Sequence, residues 1–471
     1  VVNDNERSYS PTVGGVATYL STLRVTQGYE RFLDWGKEVL HKTPVVGAPI
    51  YETLHGVKKG IKDIVAPQGM FEDLGLKYMG PIDGHDFPAL ERALAQAKQF
   101  GEPVLVHVIT EKGRGHQPAI EDEAEKFHAV GVVDPTTGVP VTKNTRTWTK
   151  VFSDELVDIG AEREDIVAVT AAMLGPTGLD KFAAAFPDRA IDVGIAEQHA
   201  VTSAAGMAFA GLHPVVAVYS TFLNRAFDQL LLDVALHKAG VTFVLDRAGI
   251  TGDDGPSHHG IWDMALTGIV PTLHLAAPRD SARLKEVLRE AIAISDAPTV
   301  IRFPKGAVPA DIPAFERRDG IDVLYRGESA DVLLISVGAM ATMSVEAASQ
   351  AYREGVGVTV IDPRWVKPLP QSLIAMADRY KSVVVVEDGI AHGGIASALS
   401  EMFRKAGIDT PIHSIGVPLA FIEHSKRSEI LGDLGITAQN ISREIVEWSS
   451  STLKAEMPLP QDENESHRQN R

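Results

Sequence analysis

Residues 165–246 open as Asp165-Ile166-Val167-Ala168-Val169 and close as Val241-Thr242-Phe243-Val244-Leu245-Asp246, with Ile191-Asp192-Val193 and Val215-Val216-Ala217-Val218-Tyr219 between. Each run is short, almost continuously apolar and rich in β-branched residues. The stretches Glu197 to Gly211 and Phe222 to Ala239, lying between runs, are long enough to be helices. Strands that lack polar alternation belong in parallel sheets covered on both faces. The rhythm resumes at Val332-Leu333-Leu334-Ile335, Val358-Thr359-Val360-Ile361 and Val383-Val384-Val385-Val386. The fold class is therefore α/β, with parallel sheets flanked by helices.

The chain has 471 residues, which suggests about three domains. Hydrophobic residues make up 44% and charged residues 23%, ordinary globular usage. The 45 Lys and Arg against 62 Asp and Glu leave a net charge of −17. Such a surface repels phosphate backbones, and no long basic stripe offsets it, so no nucleic-acid partner is expected. No apolar run approaches the ~18 residues of a membrane span, and no basic-then-apolar leader opens the chain. Neither membrane insertion nor secretion is expected. The absence of cysteine excludes disulfide scaffolds, zinc–thiolate sites, iron–sulfur clusters and thiol nucleophiles. A cytoplasmic setting follows as the expectation.

Composition shifts mark the joints. Pro135 to Thr147 and Pro309 to Arg326 read as linkers, Tyr9 to Gln68 as a loose insertion of irregular helices and loops, and the polar stretch after Ser449 as a frayed tail. Val1-Val2 followed by Asn3-Asp4-Asn5 reads as the last residues of a buried strand, so the chain is expected to continue something upstream.

Three segments carry chemistry. In Asp192-Val193-Gly194-Ile195-Ala196-Glu197, an acid sits where a helix begins after a strand. That place suits simple dipole stabilisation, and it is also where α/β proteins bind ligands. In Tyr219-Ser220-Thr221-Phe222-Leu223-Asn224-Arg225, aromatics, hydroxyls and an arginine follow a strand directly; Phe227, just beyond, is assigned to the core. Asp246 to Gly260 is a long Gly-rich loop bearing Arg247, Asp254, His258 and His259, and loops of that length are usually functional. Adjacent histidines diverge, so a single proton-handling or phosphate-facing histidine is favoured over a metal clip. Arg302 and Lys305 end another strand, where they would suit an anion. Dinucleotide, P-loop, zincin and α/β-hydrolase motifs are all missing.

These segments, with Asn3-Asp4-Asn5, Gly80-Pro81-Ile82-Asp83-Gly84-His85-Asp86, Lys112-Gly113-Arg114-Gly115-His116, Phe127-His128-Ala129-Val130 and Ile361-Asp362-Pro363-Arg364-Trp365, resemble the 1-deoxy-D-xylulose-5-phosphate synthase family of transketolase-like thiamine-diphosphate enzymes. The resemblance covers essentially the whole chain. It implies three domains: residues 1–146 as the latter part of the diphosphate and Mg²⁺ domain, incomplete here, 147–310 as the aminopyrimidine domain, 325–450 as the C-terminal domain, and 451–471 as a disordered tail. The family's Gly-Asp-Gly motif is not in this chain, and on that basis these residues alone are expected to bind cofactor weakly and turn over negligibly.

The resemblance also assigns roles. Asn5 and the backbone carbonyl of Arg7 would ligate Mg²⁺. Glu197 would bond the pyrimidine nitrogen of thiamine diphosphate, Phe222 would stack on that ring, and His116 would approach the cofactor where the family carries tyrosine. Tyr219, Arg225, Arg247, Asp254 and Lys305 would surround the acceptor substrate, Lys305 replacing a frequent arginine. His258 and His128 would shuttle protons. The implied reaction condenses pyruvate with D-glyceraldehyde 3-phosphate, releasing CO₂ and 1-deoxy-D-xylulose 5-phosphate for isoprenoid, thiamine and pyridoxal synthesis, in a cytoplasmic homodimer. A transketolase, a 2-oxoacid dehydrogenase β subunit, or an inactive dimerising half are the alternatives.

Overall fold

A computed structural model describes residues 1–7, 11, 20, 71, 73–122, 125–128, 130–141 and 146–455, the last five by backbone alone. Two units make it up, Val1–Lys143 and Asn144–Arg471.

In the first unit, β1 (Val2–Asp4), β2 (Lys77–Asp83) and β3 (Val104–Ile109) form a parallel sheet in the order β1-β3-β2. The opening strand differs from expectation: it runs through Asn3 and Asp4, and Val1 is exposed. Those polar residues stay in the strand because β3 supplies partners. The Thr110 hydroxyl donates to Asn3 over 2.6 Å, and the Asp4 carboxylate lies 2.9 Å from Nε2 of the buried His107, whose Nδ1 meets the Tyr78 hydroxyl at 2.7 Å. The motif Gly80–Asp86 is largely architectural. A Cβ at Gly80 would strike the His107 carbonyl, His85 Nε2 accepts the Glu111 amide at 2.9 Å, and Asp86 caps the helix Phe87–Phe100 by accepting from the Ala89 amide. Of the expected insertion Tyr9 to Gln68, all but residues 11 and 20 lie outside the described residues.

The second unit is built on two sheets. β4 (Ile166–Thr170), β5 (Ala190–Asp192), β6 (His213–Tyr219), β7 (Thr242–Asp246), β8 (His274–Ala276) and β9 (Thr299–Arg302) are mutually parallel in the order β8-β9-β7-β6-β4-β5. Trp148, Phe152, Phe182 and Phe303 fill the core against one face. The second sheet contains β10 (Glu316–Arg318), β11 (Ile321–Tyr325), β12 (Val332–Ser336) and β13 (Val358–Asp362). After β13 the chain crosses back, and β14 (Trp365–Lys367) pairs antiparallel with β8, becoming the edge of the first sheet. β15 (Ser382–Ile390) and β16 (Ile412–Val417) then complete the second sheet in the order β10-β11-β13-β12-β15-β16.

Three expectations need adjustment. The linker Pro309 to Arg326 contains β10 and β11, joined at Asp319-Gly320, where both residues have positive φ as a tight hairpin requires. The stretch from Phe222 is not one helix: Ser220–Ala226 winds as a 3-10 turn, Phe227–Gln229 as a short α turn and Leu230–Ala235 as a π turn. The last helix, Ala438–Ala455, runs into the tail expected from 451, and 456–471 lie outside the described residues.

Candidate functional site

The side chains singled out in the sequence sit just past the C-terminal ends of parallel strands, where α/β folds present ligand sites. In the second unit Glu197 follows β5, Tyr219 ends β6, Arg247 to His258 follow β7, and Lys305 follows β9. The strand order reverses at β4, with β5 on one side and β6, β7 and β9 on the other. Glu197 and Tyr219 flank that reversal.

Glu197 is the first residue of the helix Glu197–Phe209. The turn before it is fixed by Asp192, whose carboxylate accepts the amides of Ala172 at 2.7 Å and Gly194 at 3.0 Å. Glu197 is only 7% exposed, and among the described residues its carboxylate has no hydrogen-bond or ion-pair partner. A largely buried side chain whose carboxylate is left without a protein partner at the C-terminal end of a parallel strand is available to a ligand. The helix packs against the turn Ser220–Ala226, which carries Phe222.

Four expected residues meet in one chain of contacts. The Phe222 ring stacks on Tyr219 with centroids 5.6 Å apart and makes a T-shaped contact with the His258 ring at 5.6 Å. The Arg247 guanidinium lies 3.9 Å from the centroid of the Tyr219 ring, a cation–π contact. Arg247 has φ of +60°, unusual for a long side chain, and donates to the Pro176 carbonyl at 3.2 Å. Asp254 and Lys305 pair with each other at 2.7 Å. Arg225 is not gathered in: it is exposed, and its guanidinium makes no hydrogen bond or ion pair among the described residues.

His258 and His259 diverge. His258 contacts the Ser257 hydroxyl at 2.8 Å, whereas the buried His259 accepts the Thr251 amide at 3.1 Å. Arg302 departs from its expected role as an anion holder. It is buried, donates to Asp263 at 2.7 Å and to the Asp388 carbonyl at 2.8 Å, and so is committed to the protein itself. Asp246 was not foreseen as a site residue. Its buried carboxyl ends β7, accepts from Thr149 at 2.5 Å and lies 3.8 Å from Arg247. Burial pushes its pKa up to about 6, against the pull of Arg247. The signal for it was an acid at a strand's C-terminal end immediately before the loop.

In the first unit, Asn5 follows β1 and its side-chain oxygen accepts the Arg7 amide at 3.1 Å, which turns the chain so that Asn5 and Arg7 are adjacent. His116 precedes the helix Gln117–Glu121 and lies 5.8 Å from Phe127, centroid to centroid. His128 is exposed, and Lys112 donates to its Nδ1 over 2.8 Å. Partial burial and the Lys112 charge lower its pKa.

Three family models match the chain: 1-deoxy-D-xylulose-5-phosphate synthase over residues 1–110, the transketolase pyrimidine-binding domain over 144–310, and the transketolase C-terminal domain over 322–441. A curated 1-deoxy-D-xylulose-5-phosphate synthase 2 of Streptomyces coelicolor is 60% identical over 447 residues, which is 94% of this chain and 70% of that protein. The synthase of Paenarthrobacter aurescens is 56% identical over 478 residues, 98% of this chain and 73% of that protein. The chain belongs to the 1-deoxy-D-xylulose-5-phosphate synthase family. Among solved structures, the inactive β4 tetramer of a split-gene transketolase aligns at a TM-score of 0.58 and 28% identity over 66% of this chain and 99% of that one. The transketolase of Campylobacter jejuni aligns at 0.57 and 16% identity over 81% of this chain and 69% of that one, a likeness of fold.

For this synthase-family chain the donor chemistry bears on each bound group. The partnerless Glu197 and the Phe222 ring suit the nitrogen and the face of an aminopyrimidine. Asn5 and the Arg7 carbonyl are hard neutral oxygens, right in kind for Mg²⁺ but only two of the six it takes. No cluster of three or more His, Cys, Asp or Glu suited to a metal occurs among the described residues.

Proposed function

We propose that this chain acts as a transketolase-type transferase that condenses pyruvate with D-glyceraldehyde 3-phosphate, releasing CO₂ and 1-deoxy-D-xylulose 5-phosphate, with thiamine diphosphate as its cofactor. The observation that carries the reading is Glu197, a largely buried residue whose carboxylate has no protein partner among the described residues, beside the point where the strand order reverses. Family membership agrees with it.

Bound thiamine diphosphate supplies the nucleophilic carbon and the electron sink that decarboxylation requires. Glu197 would hydrogen-bond the ring nitrogen, and Phe222, braced by Tyr219, would cover the ring face. Arg247, Lys305 and Tyr219 present positive charge and a hydroxyl to a phosphorylated aldehyde. Asp254, paired to Lys305, accepts from its hydroxyls. His258, set edge-on to Phe222, and His128 move protons to and from the reacting oxygens. Asn5 and the Arg7 carbonyl contribute to Mg²⁺ at the diphosphate. Lys305 offers a point charge and no planar fork, which favours a looser phosphate grip. The working form is a cytoplasmic homodimer, and its product feeds isoprenoid synthesis. Among the described residues no helix is long and apolar enough to cross a membrane.

Glu197→Gln tests this reading. Measured in protein that also carries the family's Gly-Asp-Gly segment, the variant should lose about 100-fold or more in kcat while its circular dichroism and melting temperature stay at the parental values. Wild-type turnover in that variant ends the assignment. Release of CO₂ from pyruvate should also depend on glyceraldehyde 3-phosphate; ketose consumption without CO₂ would identify a transketolase instead.

A further inference from the structure

The loop Gly249–Gly260 carries Asp254 and His258, and its two ends are tied to each other: Gly249 and Gly260 exchange backbone hydrogen bonds of 2.7 and 2.8 Å. The rest of the loop is gripped from the second sheet. Asp388, in β15, accepts the Ile250 amide on Oδ1 at 3.1 Å, while its Oδ2 takes a charge-assisted bond of 2.5 Å from Arg427. A second Arg427 nitrogen donates to the Ile250 carbonyl. Both backbone groups of Ile250 are thus held by one ion pair whose members lie 39 residues apart. Gly249 is glycine because a Cβ there would come within 2.0 Å of the Asp388 carboxylate, and its φ is +73°. Further along, a Cβ at Gly252 would meet the Arg427 amide nitrogen at 2.9 Å and one at Gly255 the His424 side chain at 3.4 Å. From the other side, Arg302 fixes the Asp388 carbonyl.

We propose that Asp388 and Arg427 are positioning residues for the acceptor substrate, holding the loop so that Asp254 and His258 face the aldehyde. This rests on the function proposed above. The clamp itself touches no residue assigned to the pyrimidine ring, which the loop reaches only through the contact of His258 with Phe222, so its larger effect falls on the second substrate. Asp388 is 3% exposed and its partner guanidinium side chain 23%. A charge pair that buried loses most of its value if one member is removed.

Arg427→Met, Arg427→Lys and Asp388→Asn in the full chain test the proposal by two readouts. The first is hydrogen–deuterium exchange across 250–258 without substrates, expected to quicken about fivefold or more in Arg427→Met and Asp388→Asn, with the strand amides of β6 and β7 unchanged. The second is steady-state kinetics, where KM for glyceraldehyde 3-phosphate should rise about tenfold while KM for pyruvate moves less than about twofold. Arg427→Lys, which keeps the charge but loses the second donor, should fall between parent and Met variant in both. Unchanged exchange overturns the clamp whatever happens to activity. Quicker exchange with both KM values rising together, or neither rising, overturns its link to the aldehyde. Should the parent protein form no product even when supplied with the family's Gly-Asp-Gly segment, the proposed function fails while the exchange result still judges the clamp.

Discussion

At position 213 an imidazole opens β6 inside the sheet, 3% exposed, with Nε2 against the Thr242 hydroxyl at 2.8 Å. Thr242 in turn accepts from Thr299 at 2.9 Å, so one polar thread crosses three strands. Burial, assisted by the Arg163 charge, lowers the His213 pKa to about 4. The unfolded chain therefore binds this proton at a pH where the folded chain does not, and stability falls as pH drops from about 6.5 toward 4. Between pH 7.5 and 5 the loss from this group amounts to about 2 kcal/mol. His213→Gln should flatten the acid limb by that amount, read as the difference in urea-unfolding free energy at the two pH values. Residue types and spacing alone singled out Glu197, Arg247 and His258, because they match a known pattern, and the structure places each past the C-terminal end of a parallel strand. Those signals missed the fate of Arg302. A cation at a strand end reads as an anion holder until the distant Asp263 is seen to occupy it.

Among elements, the helix Ser281–Ile292 shows how a single cap can serve two segments. Asp280 accepts the Arg283 amide at 2.8 Å and, with its other oxygen, the Ile312 amide at 3.0 Å, fastening the segment that leads into the second sheet. Asp280→Ala should cost about 2 kcal/mol, from the lost cap and an orphaned amide, whereas Asp280→Asn should cost less than half of that; chemical unfolding measures both. The strands of the two sheets were legible because each is a run of buried β-branched residues, and that signal survives without neighbours. β10 and β11 were hidden by Arg317, Arg318 and Asp322, charges that look like linker but pair within the fold. The winding of Ser220–Ala235 was hidden too, since its apolar spacing fits an ordinary helix; the 3-10 turn at its start is where Phe222 stacks back onto Tyr219.

For the whole second unit, a buried ionic knot joins the two sheets. Arg279, 1% exposed, donates to Asp322 at 2.6 Å and to Asp362 at 2.7 Å, and also to the Ile312 carbonyl. Two of its three carboxylate partners, Asp322 and Asp362, behave differently. Burial raises Asp362 to about 6 despite Arg279, whereas at Asp322 burial is outweighed by the hydrogen bonds of Arg317 and Arg279, and its pKa stays low. Arg279→Met strands both acids and should cost about 3–5 kcal/mol at pH 8. The sign of the pH effect follows from Asp362: a raised carboxyl is easiest to keep protonated in the fold at low pH, so the deficit should shrink at pH 5. Urea unfolding of the variant at both values checks it. None of this knot was legible beforehand, because its members are scattered from residue 279 to residue 362 and meet only in three dimensions.

The crossing of β14 onto β8 has an evolutionary corollary. The sheet that bears Glu197 borrows its outermost ribbon from the domain downstream, so a recombination breakpoint placed in the gap between residues 310 and 322 would hand one daughter gene a sheet with a bare margin, open to sticking to its neighbours. Lineages that shuffle these domains should therefore inherit the pair together, or replace the missing ribbon with one of their own.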